Sequence, residues 1–294
     1  VATKPVRGIY RSTRFPNVRV IDKENGGKAD ASNVGINVAR FPLVCILDAD
    51  SILERSSLRT AVVPFLSDPR TIASGGSVRI ANGSTVRGGF LEEVGLPHKM
   101  LPLMQVLEYL RAFLFGRLGW APFNAVPIIS GAFGAFRKEV VVEAGGFLSD
   151  TMGEDMELVM RLHRLNRLAR RPYRIAFLIN PICWTDAPES LEVLRRQRIR
   201  WQRGLGESLA RNRSLLFHVR GGAVGWLLFP FLVAFELLGP LVELGGYVLM
   251  TAGFALGFIS APVFWSFMAL AVCIGLMLSA SALYLEELMC HVYK

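Results

Sequence analysis

The stretch KADASNVGINVARFPLVCILDAD, residues 28–50, contains the pattern that decides the fold. Residues 28–40 have a helical pattern, and an unbroken apolar run, FPLVCIL, follows at 41–47. Short apolar runs bounded by polar residues are typical of buried strands, so a helix followed by a buried strand is predicted. The alternation continues on both sides, with a strand at 17–22 and a helix at 56–66. These elements predict an α/β domain with a mainly parallel sheet.

Composition divides the 294 residues into two parts. From Gly221 to Tyr293 there is no lysine or arginine, and the only acids are glutamates at 236, 243, 286 and 287. The preceding sequence has the charge content of an ordinary water-soluble domain. At about 20 residues per span, residues 221–285 are long enough to cross a membrane two or three times. We favour three crossings.

The net charge of +9 raises the question of nucleic-acid binding. Eight arginines lie between Arg195 and Arg220, opposed by the single acid Glu207. A basic stripe directly before an apolar segment is typical of contact with anionic lipid headgroups, and it holds that side of the membrane in the cytosol. We therefore predict membrane lipids, and no nucleic acid, as partners of this stripe.

Asp48 and Asp50 follow the predicted strand directly, at the end where α/β sheets bind ligands. Residues i and i+2 of an extended segment point the same way, so both carboxylates can face one ligand. Hard oxygen ligands suit Mg²⁺ or Mn²⁺, which would in turn hold a diphosphate. The alternative is a polar turn in which Asp50 or Ser51 caps the next helix.

Lys28 lies at the start of the predicted helix, after Gly26 and Gly27. Glycines let backbone N–H groups approach an anion, and a helix N-terminus favours negative charge. The segment is not a Walker A loop, because Asp22 stands where the first glycine would be and Ala29 replaces the serine or threonine. Lys28 is thus a candidate ligand of a phosphate, and an ordinary glycine turn is the alternative.

The segment IISGAFGAFRKEVVVEAGGF (128–147) predicts a strand, a turn of small residues and a short helix. Gly131, Ala132 and Gly134 leave room beside the backbone, for a ligand or for tight packing. The sequence alone does not decide between the two.

The segment MGEDMELVMRLHRLNR (152–167) predicts a helix whose first turn contains Glu154 and Asp155. The helix dipole favours acids at this position whatever their function. His163 lies well along the same helix, and we interpret it as a structural residue.

The segment QRIRWQRG (197–204) belongs to a predicted helix that ends shortly before the apolar region. Gln197, Arg200 and Trp201 are spaced i, i+3 and i+4, so they share one helix face. Arg200 can bind a phosphate through two N–H groups, and Trp201 can offer a flat apolar surface to a sugar ring. The alternative is an amphipathic helix at the membrane surface with Trp201 as its interface anchor.

The order of these motifs is more specific than any one of them. KENGGKADASNVG, DAD, SGAFGAFR, GED, QRIRW and then apolar helices together resemble the family 2 glycosyltransferases. The resemblance is strongest to their membrane-embedded processive branch, the cellulose, chitin, hyaluronan and poly-N-acetylglucosamine synthases. It extends over roughly residues 20 to 290.

The resemblance implies an A-type nucleotide-sugar transferase fold, which is Rossmann-like, and an inverting mechanism. Asp48 and Asp50 match the DxD pair that binds the metal and the diphosphate, and Asp155 matches the general base. Gln197, Arg200 and Trp201 match the motif that closes over the donor diphosphate and supports the acceptor sugar.

The resemblance also implies an organisation for the chain. We expect part of a cytosolic transferase domain at 1–185, basic interfacial helices at 186–220, membrane helices at 221–285 and the start of a further segment at 286–294. The expected location is the plasma (inner) membrane. The first part of the family's nucleotide domain has no counterpart in this sequence, so we expect an N-terminally shortened chain.

The implied partners are a nucleotide-sugar donor, a UDP-sugar, and a glycan or lipid-linked acceptor. A processive synthase that extends and exports a polysaccharide is the function favoured at this point. A single transfer to a lipid acceptor and a non-enzymatic membrane scaffold or transporter are the alternatives.

Overall fold

The computed structural model describes residues 1–293, without the side chains of Phe115 and Pro181. An α/β domain is followed by a long apolar helical region. The strands are β1 (Val6–Arg11), β2 (Arg19–Lys23), β3 (Leu43–Leu47), β4 (Ile52–Leu53), β5 (Thr71–Ile80), β6 (Thr85–Arg87), β7 (Phe90–Glu93), β8 (Phe133–Arg137) and β9 (Arg174–Thr185). The helices are α1 (Gly27–Val38), α2 (Ser57–Ser67), α3 (Met100–Leu110), α4 (Leu118–Trp120), α5 (Lys138–Glu143), α6 (Glu154–Leu168), α7 (Leu191–Arg211), α8 (Phe229–Phe231), α9 (Gly239–Ala255) and α10 (Ala261–Met289).

The central sheet has the strand order β3-β8-β5-β9-β4. Of its neighbouring pairs only β5 and β9 run parallel, because β8 lies antiparallel between β3 and β5, and β4 is antiparallel to β9. The prediction of a mainly parallel sheet is therefore wrong. A crossover helix returns the chain to the same end of a sheet, but the connection through α3 and α4 delivers β8 to the opposite end.

The predicted α/β class is confirmed, with differences in where the strands lie. The predicted strand at 17–22 corresponds to β2, but it pairs with β1 in a separate two-stranded sheet. The predicted strand at 41–47 corresponds to β3, which is an edge strand and only partly buried. The strand predicted before Gly131 follows it instead, as β8, because Phe133 to Arg137 pair with β3 and β5.

The three predicted helices around the candidate motifs form as expected, as α1, α6 and α7. Helix α6 buries one apolar stripe, including Leu158, Val159 and Leu162, against Ile36 and Ile175 in the main core. Each such side chain, when fully buried, contributes about 1.5–3 kcal/mol relative to exposure. This packing fixes the N-terminus of α6 relative to α1 and the sheet.

The predicted structural role of His163 is confirmed. Its ring is fully buried, with Nδ1 2.6 Å from the Tyr173 hydroxyl and Nε2 2.9 Å from the Val126 carbonyl oxygen. Burial lowers the pKa of His163 to about 4. The ring is therefore neutral at physiological pH and holds α6 against its neighbours.

The apolar region contains one straight helix, α10, that is long and apolar enough to cross a membrane. A second apolar stretch, from Val224 to Ala255, bends by 45° after Leu237, next to Pro240. If the bent pair counts as one span, the described residues contain two candidate spans, fewer than the three that we favoured.

Both ends of the apolar region contact the α/β domain. At its start, Val224 and Leu228 are buried with Met160 of α6 and Leu209 of α7. At its far end, Ala282 is buried in a cluster with Ile80, where β5 ends. The start and the end of this region therefore lie on the same side of it.

Residues 286–294 are not the start of a separate segment, as the sequence suggested. Helix α10 continues to Met289, and the Glu286 side chain accepts a hydrogen bond from the Val292 amide at 2.9 Å. The Tyr293 hydroxyl lies 3.2 Å from the Ile80 amide nitrogen and 3.3 Å from its carbonyl oxygen. This segment folds back onto the sheet because its polar atoms find partners there.

Candidate active site

The carboxyl ends of β3, β5 and β9 meet at one edge of the central sheet, since these three strands run in the same direction. Asp48 follows β3 at this edge, and its backbone carbonyl accepts a hydrogen bond from Ser51 N at 3.2 Å. Asp48 is half-buried and Asp50 is exposed. Helix α2 begins at Ser57 with Ser56 at its N-cap, so neither Asp50 nor Ser51 is its cap.

Lys28 connects the aspartate pair to the other motifs. Its Nζ lies 2.5 Å from Asp48 Oδ1 and 3.6 Å from Glu154 Oε1, and it donates a hydrogen bond to the Gly131 carbonyl at 3.0 Å. Burial opposes the charge of this lysine, but the hydrogen bond to Asp48 and the nearby carboxylates outweigh it and raise the pKa of Lys28. Lys28 is therefore a stable cation at the centre of an acidic site.

Asp155 lies on the other side of Gly131. Its Oδ2 accepts a hydrogen bond from the Gly131 amide at 2.8 Å, and its Oδ1 accepts one from the Met156 amide, also at 2.8 Å. Both donors favour the charged carboxylate, as does the N-terminus of α6. Asp155 is thus held in one orientation beside the strand end.

Glu154 differs from its neighbour. Burial first, and then the negative charge of Asp155, raise the pKa of Glu154 against the opposing effect of Lys28. Of the two acids, Asp155 has the better donors for a carboxylate.

A small cleft lies between these motifs. It is lined by Lys28, Ser32, Ile46, Ile129, Ser130, Gly131, Gly134, Phe136, Phe147, Glu154 and Asp155. The glycine of the SGAFG turn is required at this point, because a Cβ on Gly131 would lie 2.5 Å from Lys28 Nζ and 3.3 Å from Asp155 Oδ2. The small residues noted in the sequence therefore make room for the two charged side chains.

Gln197, Arg200 and Trp201 lie on α7. Arg200 is exposed, 45% of the Trp201 surface is exposed, and Gln197 Oε1 is buried with no partner among the described residues. Within residues 1–293, no hydrogen bond or ion pair joins these side chains to Asp48, Asp50 or Asp155. The structure brings the lysine, the aspartates and the glutamate together, and it places the α7 motif beside them rather than among them.

The link between α7 and the acidic site is made by other residues. Gly153, before Glu154, is in backbone contact with Gly204, so that a Cβ on Gly204 would lie 2.8 Å from Gly153 Cα. The Glu207 carboxylate accepts hydrogen bonds from Met152 N at 2.8 Å and from Thr151 Oγ1 at 2.9 Å. These contacts set the distance between the two motifs.

Sequence reasoning missed Arg117, which follows α3. Its guanidinium lies over the Phe113 ring, 3.8 Å from the centroid, and its Nη1 is buried with no partner among the described residues. Burial lowers the pKa of Arg117 to about 10, and attraction to Asp155 and to Tyr109 opposes this effect. The available signal was a single arginine that follows the largely apolar segment AFLFG.

The residues present fit a divalent metal only in part. Among the described residues there is no group of three or more histidine, cysteine, aspartate or glutamate side chains that could hold an ion. Asp48 and Asp50 supply two hard oxygen ligands, and the ammonium group against Asp48 Oδ1 shows that a cation is already stabilised there. Such a pair fits an ion whose remaining ligands come from a phosphate and water.

The model of the Glycosyltransferase like family 2 matches residues 4–204 of this chain. The chain belongs to this family. The matched region includes the aspartate pair, Lys28, the GED triplet and the QxxRW segment. The resemblance inferred from the motif order is therefore confirmed.

Two of the similar family 2 relatives have the same name. The poly-beta-1,6-N-acetyl-D-glucosamine synthase of Staphylococcus aureus is 34% identical over 192 residues, which is 65% of this chain and 41% of that protein. The synthase of the same name from Staphylococcus epidermidis is 28% identical over 205 residues, 69% of this chain and 45% of that protein. The chain spans less than half the length of these relatives.

A solved glycosyltransferase has a similar fold. The mannosyltransferase of Pyrobaculum calidifontis, solved in complex with GDP-Man and Mn²⁺, superposes with a TM-score of 0.57 and 21% identity over 91% of this chain and 68% of that one. The predicted A-type transferase fold is thus confirmed for this family 2 chain.

Proposed function

We propose that this chain is part of an inverting glycosyltransferase that moves a sugar from a UDP-sugar to a growing polysaccharide at the cytosolic face of the inner membrane. The observation that carries the proposal is the convergence of Asp48 and Asp155 on opposite sides of Gly131, connected through Lys28. A transferase needs one site that holds the leaving diphosphate and one that accepts a proton, a few ångströms apart.

Asp48 and Asp50 would hold Mg²⁺ or Mn²⁺, and the bound ion would supply the positive charge that stabilises the diphosphate leaving group. The Mn²⁺ and GDP-Man of the mannosyltransferase support this assignment. Lys28, at 2.5 Å from Asp48 Oδ1, keeps that carboxylate ionised and oriented. Its remaining N–H groups are positioned to bind a phosphate oxygen.

Asp155 would act as the general base. Its carboxylate accepts the proton of the acceptor hydroxyl while that oxygen bonds to the anomeric carbon and the bond from this carbon to the diphosphate oxygen breaks. Attack opposite the leaving group inverts the anomeric configuration. The Gly131 and Met156 amides hold the carboxylate in place for this step.

Gln197, Arg200 and Trp201 would close the site from the membrane side. The exposed Arg200 guanidinium is free to bind the donor diphosphate, and the exposed part of Trp201 is free to support a sugar ring. The Gly153–Gly204 contact brings this face of α7 towards the acidic site.

The apolar region would cross the membrane twice. Both of its ends contact the α/β domain, through Val224 and through Tyr293, and an even number of crossings places both ends on one side. The arginines before Gly221 hold that side in the cytosol. The bent stretch 224–255 and helix α10 would be the two spans.

A polysaccharide product, rather than a single transfer to a lipid acceptor, is supported by the names of the two synthases. The test uses the full-length protein that contains this chain, with labelled UDP-N-acetylglucosamine, UDP-glucose or GDP-mannose, with and without Mn²⁺. A metal-dependent ladder of products from a UDP-sugar is the expected result. One discrete lipid-linked product would favour single transfer, and no metal-dependent nucleotide binding would favour a non-enzymatic role.

A further inference from the structure

Trp201 is held by an ion pair between two helices. The Arg198 guanidinium lies over the indole, with its central carbon 4.5 Å from the ring centroid. The same guanidinium binds both carboxylate oxygens of Glu108 on α3, with Nη2 2.5 Å from Oε2 and Nη1 in contact with Oε1. Glu108, Arg198 and Trp201 thus form a chain of contacts from α3 to the indole, which we call the indole clamp.

The clamp has a second contact from α3. Tyr109, next to Glu108, places its ring 6.5 Å from that of Trp201, at an interplanar angle of 50°. One face of the indole is covered by Arg198 and one side is flanked by Tyr109, while 45% of the Trp201 surface remains exposed. A tryptophan held in this way presents its uncovered face in one direction.

The ion pair is poorly placed to act mainly on stability. The Arg198 and Glu108 side chains are 33% and 46% exposed, and ion pairs at this exposure contribute little to the free energy of unfolding. Its two-point geometry does something else, because a planar guanidinium bound at both nitrogens cannot rotate. A fixed guanidinium fixes the plane of the ring against which it packs.

We propose that Glu108 and Arg198 are positioning residues that orient Trp201 for the acceptor sugar. Since Arg198 and Trp201 are three residues apart on one face of α7, the guanidinium is in place before any ligand arrives. Glu108 acts through Arg198, and Arg198 acts through the ring. This inference rests on the proposed role of Trp201 as the acceptor support.

The chain offers a matched control for Arg198. Arg196, two residues earlier on α7, pairs with Glu192 within the helix, and these two side chains are 70% and 75% exposed. Arg196→Gln and Arg198→Gln therefore remove the same charge from the same helix, but only the second uncovers the indole. Arg198→Lys keeps the charge and loses the planar two-point contact, so it reports on orientation if Arg198→Gln fails to fold.

The experiment measures full-length enzyme with UDP-N-acetylglucosamine as donor and β-1,6-linked N-acetylglucosamine oligomers as acceptor. Arg198→Gln and Glu108→Gln should raise the acceptor KM about 3- to 30-fold, which is the effect of a cation–π contact on binding. Their products should be shorter, with the donor KM within about twofold of wild type. Arg198→Lys should fall between Arg198→Gln and wild type, and Arg196→Gln should match wild type.

A double substitution separates orientation of the ring from simple bracing of α3 against α7. Glu108→Arg with Arg198→Glu restores opposite charges between the helices but puts a carboxylate against the indole. The clamp predicts that the double variant keeps its thermal midpoint and still makes short products. Recovery of the acceptor KM and the product length would overturn the inference.

The inference and the proposed function fail in different ways. Wild-type acceptor KM in Arg198→Gln and Glu108→Gln, with Trp201→Ala impaired, would overturn the clamp and leave the role of Trp201 standing. Wild-type product from Trp201→Ala would remove that role, and the clamp with it. No product from the wild-type enzyme with this donor and acceptor would contradict the proposed polymer.

Discussion

Gly153 and Gly204 touch through their backbones, and this contact determines how far the QxxRW helix lies from the proposed base. A Cβ on either residue would lie 3.0 Å or less from the Cα of the other. The first precedes Glu154 and Asp155, and the second follows Trp201 by three residues along α7. The two sequence motifs are therefore joined where neither has a side chain.

Gly204→Ala is expected to lower both stability and turnover. The added methyl meets backbone atoms, which cannot move aside, and overpacking of this kind costs about 1–3 kcal/mol. The matched control is Gly206→Ala on the same helix, where a Cβ would meet only Leu237 Cδ1 at 3.6 Å. Thermal midpoints and initial rates of the two variants check the prediction, and equal behaviour would contradict it.

Asp155→Asn is expected to lower turnover about 10²- to 10⁴-fold, the range for loss of a general base. The amide keeps one acceptor for the Gly131 and Met156 amides, and it cannot take a proton. Donor affinity, measured by calorimetry with the UDP-sugar and Mn²⁺, should survive. Glu154→Gln should be milder. Loss of donor binding in Asp155→Asn as severe as in Asp50→Asn would assign Asp155 to the donor site instead.

Lys28→Ala is expected to have opposite effects on metal and donor. Without the ammonium group at 2.5 Å from Asp48 Oδ1, Mn²⁺ alone should bind more tightly, while the UDP-sugar loses a cation and binds more weakly. We expect changes of about 3- to 30-fold, as for other charge-assisted contacts. Lys138→Ala is the control, because Lys138 Nζ donates to the Ala39 carbonyl. Parallel changes in both affinities would contradict the assignment.

The buried His163 is expected to destabilise the fold in acid. Its folded-state pKa of about 4 lies below the ordinary value of 6.5, so the neutral ring contributes stability that is complete above pH 6.5 and is lost as the pH falls towards 4. The size of the loss is about 3 kcal/mol from this shift.

Thermal midpoints of wild type and His163→Gln between pH 7 and 4.5 provide the test of this pH dependence. This window lies above the pH at which Glu207, whose pKa is held near 2 by Met152 N and Arg203, loses its charge. The difference between the two proteins should narrow as the pH falls. A constant difference would show that His163 does not titrate as expected.

Much of the site could be predicted because its parts are local. Helix α1 with Lys28, the strand before Asp48 and the helix that begins at Glu154 each show a pattern within a single element, so periodicity and end residues identified them. The motif order then identified the family. By contrast, the sequence contained no sign that Arg117 would lie near Asp155, since the two are far apart along the chain.

By itself, the sequence determined the elements, their order and the chemistry of each motif, because these depend on the spacing of residues within a helix turn or a strand. The tertiary structure alone decided the antiparallel direction of β8, the Gly153–Gly204 contact, the return of Tyr293 to Ile80 and the cover that Arg198 gives to Trp201. The physical reason is that these features depend on complementary surfaces of distant segments. No local pattern specifies which two surfaces meet.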